Sequence, residues 1–357
     1  MRVPKPMRWS LAAALVLASA GGCSSGAEQT AVSVPDRGAI GLAMPNTTSP
    51  RWVTDGESMQ RQFQLLGYRT DLMYAGDDVG KQVDQLQQMI DKGDKALVIG
   101  AIDGSALKDV LSKAAARNIP VISYDRLIRD TGDIDYYATF DNFKVGVLQA
   151  KALLDGLGPG KATIELFAGS ADDNNATFFF NGAMSVLEPY LASGRLTVGS
   201  GETTFEQIAT QRWDGKVARQ RMAKLLAGPD KNVRVDGVLS PYDGITRGIL
   251  QAFQDAGYPA PPVITGQDAE LDSVKLIASG KQTETVYKDT RELAKVAVQM
   301  TNSLLTGGKP EVNDTEQYNN GVEVVPTFLL QPVNVDKSNY QRVLVDGGYY
   351  TAGQLAG

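Results

Sequence analysis

With 357 residues, 43% hydrophobic and 21% charged, the chain has the composition of a soluble globular protein with room for two ordinary domains. Its formal net charge of -6 lacks the basic face that nucleic acid requires, so no nucleic-acid partner is expected. Histidine is absent and Cys23 is the only cysteine, which removes Ser-His-Asp and Cys-His catalysis, His-ligated zinc, internal disulfides and thiolate clusters. Neither a metal nor a cofactor is expected.

Residues 1–22 read as a signal segment, with a basic start at Lys5 and Arg8, an apolar run from Leu11 to Ala20 and a small-residue exit at Gly21 and Gly22. The apolar run is too short to span a bilayer stably. Cys23 stands where small residues give way to Ser24, Ser25 and Gly26, as in a bacterial lipobox, whose cysteine is lipidated and becomes the new N-terminus. An ordinary signal peptide with an incidental cysteine is the alternative. Residues 23–37 then read as a polar tether without periodicity.

From Gly38 the chain alternates strand and helix. Apolar runs predict strands at 38–44, 68–74, 96–101, 119–123 and 136–139, with helices at 54–66, 79–92 and 105–118 between them. A second round follows, with strands at 163–168, 195–200, 235–240, 263–265 and 283–287, and helices at 143–157, 174–192, 205–227, 244–256, 271–278 and 290–306. The tail, 321–349, carries apolar runs but no clear helix. About ten strands and nine helices are natural for two open parallel sheets and excessive for one. A (β/α)₈ barrel is the structural competitor on length. Against it, the polar strand ends fall into two clusters, and breaks at Asp141-Asn142, near Asp268 and near Pro326 allow the chain to cross between two lobes.

In open α/β sheets ligands bind just beyond the carboxyl ends of the strands. Those ends here carry Arg51 and Trp52, Asp125 and Arg126, Asp141 and Asn142, Asp173 with Asn174 and Asn175, Asp243, Gln267 and Asp268, and Lys288 with Asp289. Each Asp or Asn taken singly reads equally well as a helix N-cap. Capping does not account for Arg126, Gln267 or Lys288 beside them. Carboxylate, guanidinium and carboxamide groups together donate to and accept from several hydroxyls at once, which suits a polyol such as a sugar. Trp52 adds an aromatic face of the kind that packs on the C-H face of a sugar ring. Trp213 is either a second such face or a helix-packing residue, and one of Phe178, Phe179 and Phe180 is a candidate for the opposite wall.

The segments AMPNTTSPRW, GAIDGSALKDVL, VISYDRLI, YYATFDNFKVGVLQA, IELFAGSADDNNA, LSPYDG, GQDAE, KDTRELA and VLVDGGYY cover nearly everything after Gly38. In them the chain resembles the sugar-specific periplasmic binding proteins of type I, close to the xylose-binding and multiple-sugar-binding (ChvE-type) receptors. The resemblance implies two Rossmann-like lobes, parallel sheets flanked by helices, joined by a three-stranded hinge. The N-terminal lobe is expected to take 38–140 plus 269–325, and the C-terminal lobe 141–268 plus 326–357. It also implies a monomer that closes on one monosaccharide, a pentose or hexose pyranose, and delivers it to the permease of an ABC importer. Carried over, Arg51, Trp52, Asp125, Arg126 and Lys288 serve from the first lobe. Asp141, Asn142, Asn175, Trp213, Asp243, Gln267 and Asp268 lie at the hinge or on the second lobe, with Asn174 as the alternative contact to Asn175. Cys23 departs from family receptors that are free in a periplasm and implies a lipid tether to the outer face of the cytoplasmic membrane. The rival functions are a sugar sensor signalling to a membrane protein and a glycoside hydrolase using two of the carboxylates. Arg126 and Lys288 count against the hydrolase, because neighbouring cations hold carboxylates ionised.

Overall fold

The computed structural model describes residues 36–356. The signal segment, Cys23 and all but the last two residues of the tether lie outside the described residues. In chain order the strands are β1 (Ala39–Met44), β2 (Arg69–Tyr74), β3 (Leu97–Ile99), β4 (Val121–Tyr124), β5 (Tyr136–Phe140), β6 (Ala162–Leu166), β7 (Leu196–Val198), β8 (Gly237–Leu239), β9 (Val263–Ile264), β10 (Glu284–Tyr287), β11 (Thr327–Leu330) and β12 (Val333–Asp336). The helices are α1 (Pro50–Leu65), α2 (Val79–Lys92), α3 (Lys108–Ala116), α4 (Asn142–Leu157), α5 (Asn174–Ala192), α6 (Phe205–Ile208), α7 (Gly215–Ala227), α8 (Asp243–Asp255), α9 (Leu271–Ala278), α10 (Thr290–Leu305) and α11 (Ala352–Ala356).

Among the described residues two open parallel sheets form, as expected, and no barrel closes. The first has the order β11-β5-β4-β3-β1-β2 and the second β7-β6-β8-β9. A bridge from Gln267 to Val286 carries the second sheet on to β10, which pairs antiparallel with β12. Helices cover both faces of each sheet. On one face of the first, Leu97, Ile99 and Tyr137 pack with Leu86, Met89 and Leu111 of α2 and α3. On its other face Leu42, Val98 and Phe140 pack with Met59 and Phe63 of α1 and Leu293 and Ala297 of α10. In the second sheet Ile164 and Leu166 pack with Leu153 and Leu187, while Val238 and Ile264 pack with Met222 and Ile249. Strands buried on both faces carry apolar residues in unbroken runs, which is why they are readable in the sequence.

At Asp141-Asn142, one of the three expected crossings, β5 of the first sheet leads into α4, whose Leu153 packs on the second. The other two fall elsewhere. Residues 269–289, expected in the first lobe, are tied to the second sheet by the bridge from Gln267 to Val286 and by the Thr283 N–H donating to the Ile264 carbonyl. Thr327–Leu330, expected in the second lobe, pairs in parallel with Tyr137–Phe140 of the first sheet. The crossings therefore lie between β10 and α10 and between β11 and β12. Strand pairing joins residues far apart in sequence, and the composition of either strand is the same whichever sheet it joins.

Three helices also differ from expectation, among them α3, which runs from Lys108 to Ala116 rather than over 105–118. α1 starts at Pro50 rather than 54, since proline in the first turn has no N–H to lose. The stretch 205–227 breaks: Ala209 is extended and bridges to Ala168, and Arg212 and Trp213 take left-handed backbone before α7 begins. Aspartates do cap helices, since Asp78, Asp141, Asp173 and Asp289 after strands, and Asp214 after the turn at 211–213, each accept a backbone N–H in the first turn of the helix that follows.

α4 and α5 cross at glycine. A Cβ at Gly146 would lie 1.9 Å from the Phe179 carbonyl oxygen, and one at Gly182 would lie 2.0 Å from that of Phe143. Because both contacts are with backbone, neither can yield by a rotamer change. Gly146→Val is expected to separate the two helices and to lower stability by roughly 1–3 kcal/mol or more, read as a fall in denaturation midpoint. An unchanged midpoint would show that the crossing tolerates a side chain.

Candidate functional site

A cavity of about 850 Å³ opens between the carboxyl ends of the two sheets. Of the residues expected at a ligand site, it is lined by Arg51, Trp52, Asp125, Arg126, Asn175, Trp213, Gln267, Asp268 and Lys288. Phe179, Tyr242, Asp173, Asn46 and Asp77 complete much of the wall.

Arg51 organises the floor. It projects from the first turn of α1, buried, and its Nη2 lies 2.6 Å from Asp125 Oδ2 and 3.1 Å from Asp55 Oδ2. Its Nη1 is 3.7 Å from Asp268 Oδ1, which Lys288 Nζ approaches to 3.1 Å. Arg126 pairs with Asp173 Oδ2 at 3.0 Å and donates to the Ala101 carbonyl at 3.1 Å. The indole of Trp52 lies beneath both guanidiniums, with ring centre 4.5 Å from Arg51 Cζ and 5.3 Å from Arg126 Cζ. It sits in the first helical turn rather than in a loop, and only 4% of its surface is exposed. Lys288 Nζ stands 5.8 Å from the ring centres of both Phe140 and Phe179.

Backbone geometry aims the carboxylates. Asp125, at the end of β4, has φ 61, and Asp268, beyond β9, has φ 86, a region costly for residues with a side chain. The Asp125 carbonyl is held by donors from Tyr137 Oη, Thr139 Oγ1 (3.0 Å) and Asn175 Nδ2 (2.9 Å). Asn175 Oδ1 in turn accepts from Asn142 Nδ2 at 2.9 Å. The Asp268 N–H donates to the Val286 carbonyl at 2.9 Å. Gln267 Nε2 donates to the Pro241 carbonyl at 3.1 Å, while Gln267 Oε1 and Trp213 Nε1 are buried without a partner among the described residues. Buried polar atoms in that condition are costly unless something bonds to them.

Burial pushes the Asp125 carboxyl up, but the charges of Arg51, Lys288 and Arg126 outweigh it and hold the group below the ordinary carboxylate range. For Asp55 burial prevails over Arg51 and lifts the carboxyl to about 6. Burial also raises Asp173, against the pull of Arg126.

Four expected residues do not line the cavity. Asp141 caps α4, its Oδ1 accepting from Lys144 N at 3.0 Å, so the helix end takes up the carboxylate. Asn142 is buried behind the wall and acts on Asn175. Asn174 opens α5 half-buried and is absent from the lining, where Asn175 stands. Asp243 is fully buried and accepts from Gln282 Nε2 (2.8 Å), Thr285 Oγ1 (3.1 Å) and the Glu270 N–H (2.9 Å), which ties α8 to β10. Among the three phenylalanines Phe179 lines the cavity, while Phe178 packs on Tyr318 and Phe180 on Phe205. Sequence reading missed Asp55, Asn46, Asp77 and the lining role of Tyr242. Asp55 had a signal, since it lies four residues after Arg51, one helical turn away. Among the described residues no group of three or more Asp, Glu or Cys is placed to hold a metal, and no helix is long and apolar enough to cross a membrane.

Residues 40–309 match the family described as periplasmic binding protein domain. The chain is 55% identical over 328 residues to the multiple sugar-binding periplasmic receptor ChvE of Rhizobium radiobacter, covering 90% of this chain and 93% of that one. It is 35% identical over 316 residues to the D-xylose-binding periplasmic protein of Escherichia coli K12, covering 88% and 92%. Among solved structures, an ABC transporter solute binding protein from Clostridium phytofermentans with bound β-D-glucose superposes with a TM-score of 0.86 at 41% identity, covering 89% of this chain and 99% of that one.

The folded state favours neutral Asp55, so the stability this group lends is full below its ordinary value of 3.8 and is lost as pH rises through about 6. Asp55→Asn removes that dependence. The melting temperature of the variant minus that of wild type is expected to rise between about pH 4 and 7. A difference that stays flat over this range contradicts the assignment.

Proposed function

The chain belongs to the periplasmic binding protein domain family, and on that premise we propose that it captures a monosaccharide, a pentose or hexose pyranose, by closing its two lobes and passes it to an ABC importer. The observation that carries this reading is the buried cluster in which Arg51, Asp125, Asp268 and Lys288 meet at one cavity beside Trp213 and Phe179. Fixed donors and acceptors suit vicinal hydroxyls, and aromatic surfaces suit the C-H face of a pyranose. The names of the 55% and 35% identical relatives and the glucose in the 41% identical structure point to the same ligand class.

Both lobes contribute, so a sugar bonding to both favours the closed shape and shifts the population toward it. That shape is what an importer permease reads, with a membrane sensor protein as the alternative recipient. The receptor acts extracytoplasmically, and the lone Cys23 supports a lipid anchor to the outer face of the cytoplasmic membrane. A binding role without hydrolysis accords with the carboxyls. Asp125 is held ionised by three cations. Asp173, although raised, has Oδ1 engaged with the Asn175 N–H and Oδ2 with Arg126.

Titration of the chain lacking residues 1–22 with xylose, arabinose, glucose, galactose, fucose and ribose, followed by calorimetry and tryptophan fluorescence, is expected to give saturable binding with one or more pyranoses. Asp125→Ala is expected to weaken binding by about 2–4 kcal/mol, since it leaves Arg51 buried with a lost partner. Wild-type affinity in that variant would remove the assigned cleft. Release of sugar from a chromogenic glycoside would remove the binding-only reading.

A further inference from the structure

Gly169 lies just beyond the bridge between Ala168 and Ala209, outside the set of cavity-lining residues, yet it bears on the shape of the cavity. The segment after Ala209 is held tightly to it. The Thr210 N–H donates to the carbonyls of Ala168 and Gly169, both at 3.1 Å, and the Arg212 N–H donates to buried Ser170 Oγ at 2.8 Å. Arg212 and Trp213 follow with φ 55 and 56, two successive left-handed residues. This turn folds the indole back over residue 169. A Cβ there would lie 2.0 Å from Trp213 Cη2, 2.3 Å from Cζ2 and 2.4 Å from Cζ3, where ordinary contact is 3.4–4 Å. The six-membered ring therefore rests on a bare α-carbon. Phe179 and Tyr242 meet the indole edge-on, each at 6.2 Å between ring centres, and Trp213 lines the cavity.

We propose that Gly169 is a specificity-determining position: the recess it makes for Trp213 sets the depth of the second-lobe wall, and that depth admits the hydroxymethyl group that a hexopyranose has and a pentopyranose lacks. The proposal rests on the sugar-binding reading of the cleft. Gly169 acts through Trp213 and is a positioning residue. With a methyl group at 169 the indole has to leave the recess, and with Phe179 and Tyr242 at its edges the space open to it is the cavity that it lines. Moving the nearest contact from 2.0 Å to an ordinary 3.4 Å takes about 1.4 Å of that space from the wall, and a hydrophobic pocket discriminates a difference of one methylene-sized group by about tenfold or more.

The test measures dissociation constants for glucose and xylose by calorimetry on the chain lacking residues 1–22, as wild type, Gly169→Ala, Trp213→Phe and the double variant. Gly169→Ala is expected to weaken glucose binding at least about tenfold more than xylose binding. The double variant, whose smaller ring clears the added methyl, is expected to return the ratio toward wild type. A Gly169→Ala protein with the wild-type glucose-to-xylose ratio overturns the proposal, even if both affinities fall. Should Gly169→Ala fail to fold by circular dichroism, Trp213→Phe decides. Its shallower ring is expected to move the ratio toward glucose, and an unmoved ratio overturns the proposal. A wild-type protein that binds neither sugar overturns the sugar reading itself and this proposal with it, an outcome distinct from an unchanged ratio.

Discussion

Arg51 is a guanidinium removed from water, and the structure around the cleft is arranged to keep it paired. Three carboxylates approach it, Asp55 from the same helix, Asp125 from the end of β4 and Asp268 from beyond β9. A buried charge is tolerated only when partners and hydrogen bonds replace its hydration. Asp125 and Asp268 both adopt left-handed backbone to reach it, a local cost of about 1–3 kcal/mol each that persists where the surroundings over-determine it. The over-determination is visible in the donors gathered on the Asp125 carbonyl from Tyr137, Thr139 and Asn175. Arg51, Lys288 and the three aspartates form a group with carboxylates in excess. Burial lifts Asp55 to about 6, so the excess is relieved only as pH falls below that value.

The cluster also joins the two halves of the molecule. Arg51 and Asp125 project from elements of the first sheet, whereas Asp268 precedes the helix and strand that complete the second, and Lys288 lies on the connection between them. Arg126 and Asp173 make a second ion pair between the halves, and Asn175, from the start of α5, bonds to Asp125. A ligand that bonds to both sides thus joins an existing polar network instead of building one. On the proposed function, this is the physical sense in which the cleft is prepared for a polyhydroxylated guest.

Strand and helix order was legible after Gly38 because both sheets are buried on two faces, so their strands are short apolar runs bounded by turn residues. The polar strand ends were legible for the same reason, since a charged group directly after such a run has to be either a cap or part of a site. Which of the two it is was not legible. Asp141 and Asp173 look alike in sequence and both cap helices, yet Asp173 also faces the cavity. Asp243 and Asp268 both follow second-sheet strands, and Asp243 is consumed in a buried network.

By itself the sequence determined the fold class, the periodicity of the elements and the stock of charged and carboxamide side chains at the strand ends, because these follow from local patterning and residue chemistry. Tertiary structure alone decided that β10 adjoins the second sheet and that β11 belongs to the first, since hydrogen-bonded partners far apart in the chain leave no local trace. It alone decided that Asp55 stands behind Arg51, that Trp52 carries two guanidiniums, and that Trp213 folds back onto Gly169. Each of these is a matter of where a side chain points after the chain has turned. Direction is set by backbone dihedrals such as those of Arg212 and Trp213, and by packing against elements the local sequence does not contain.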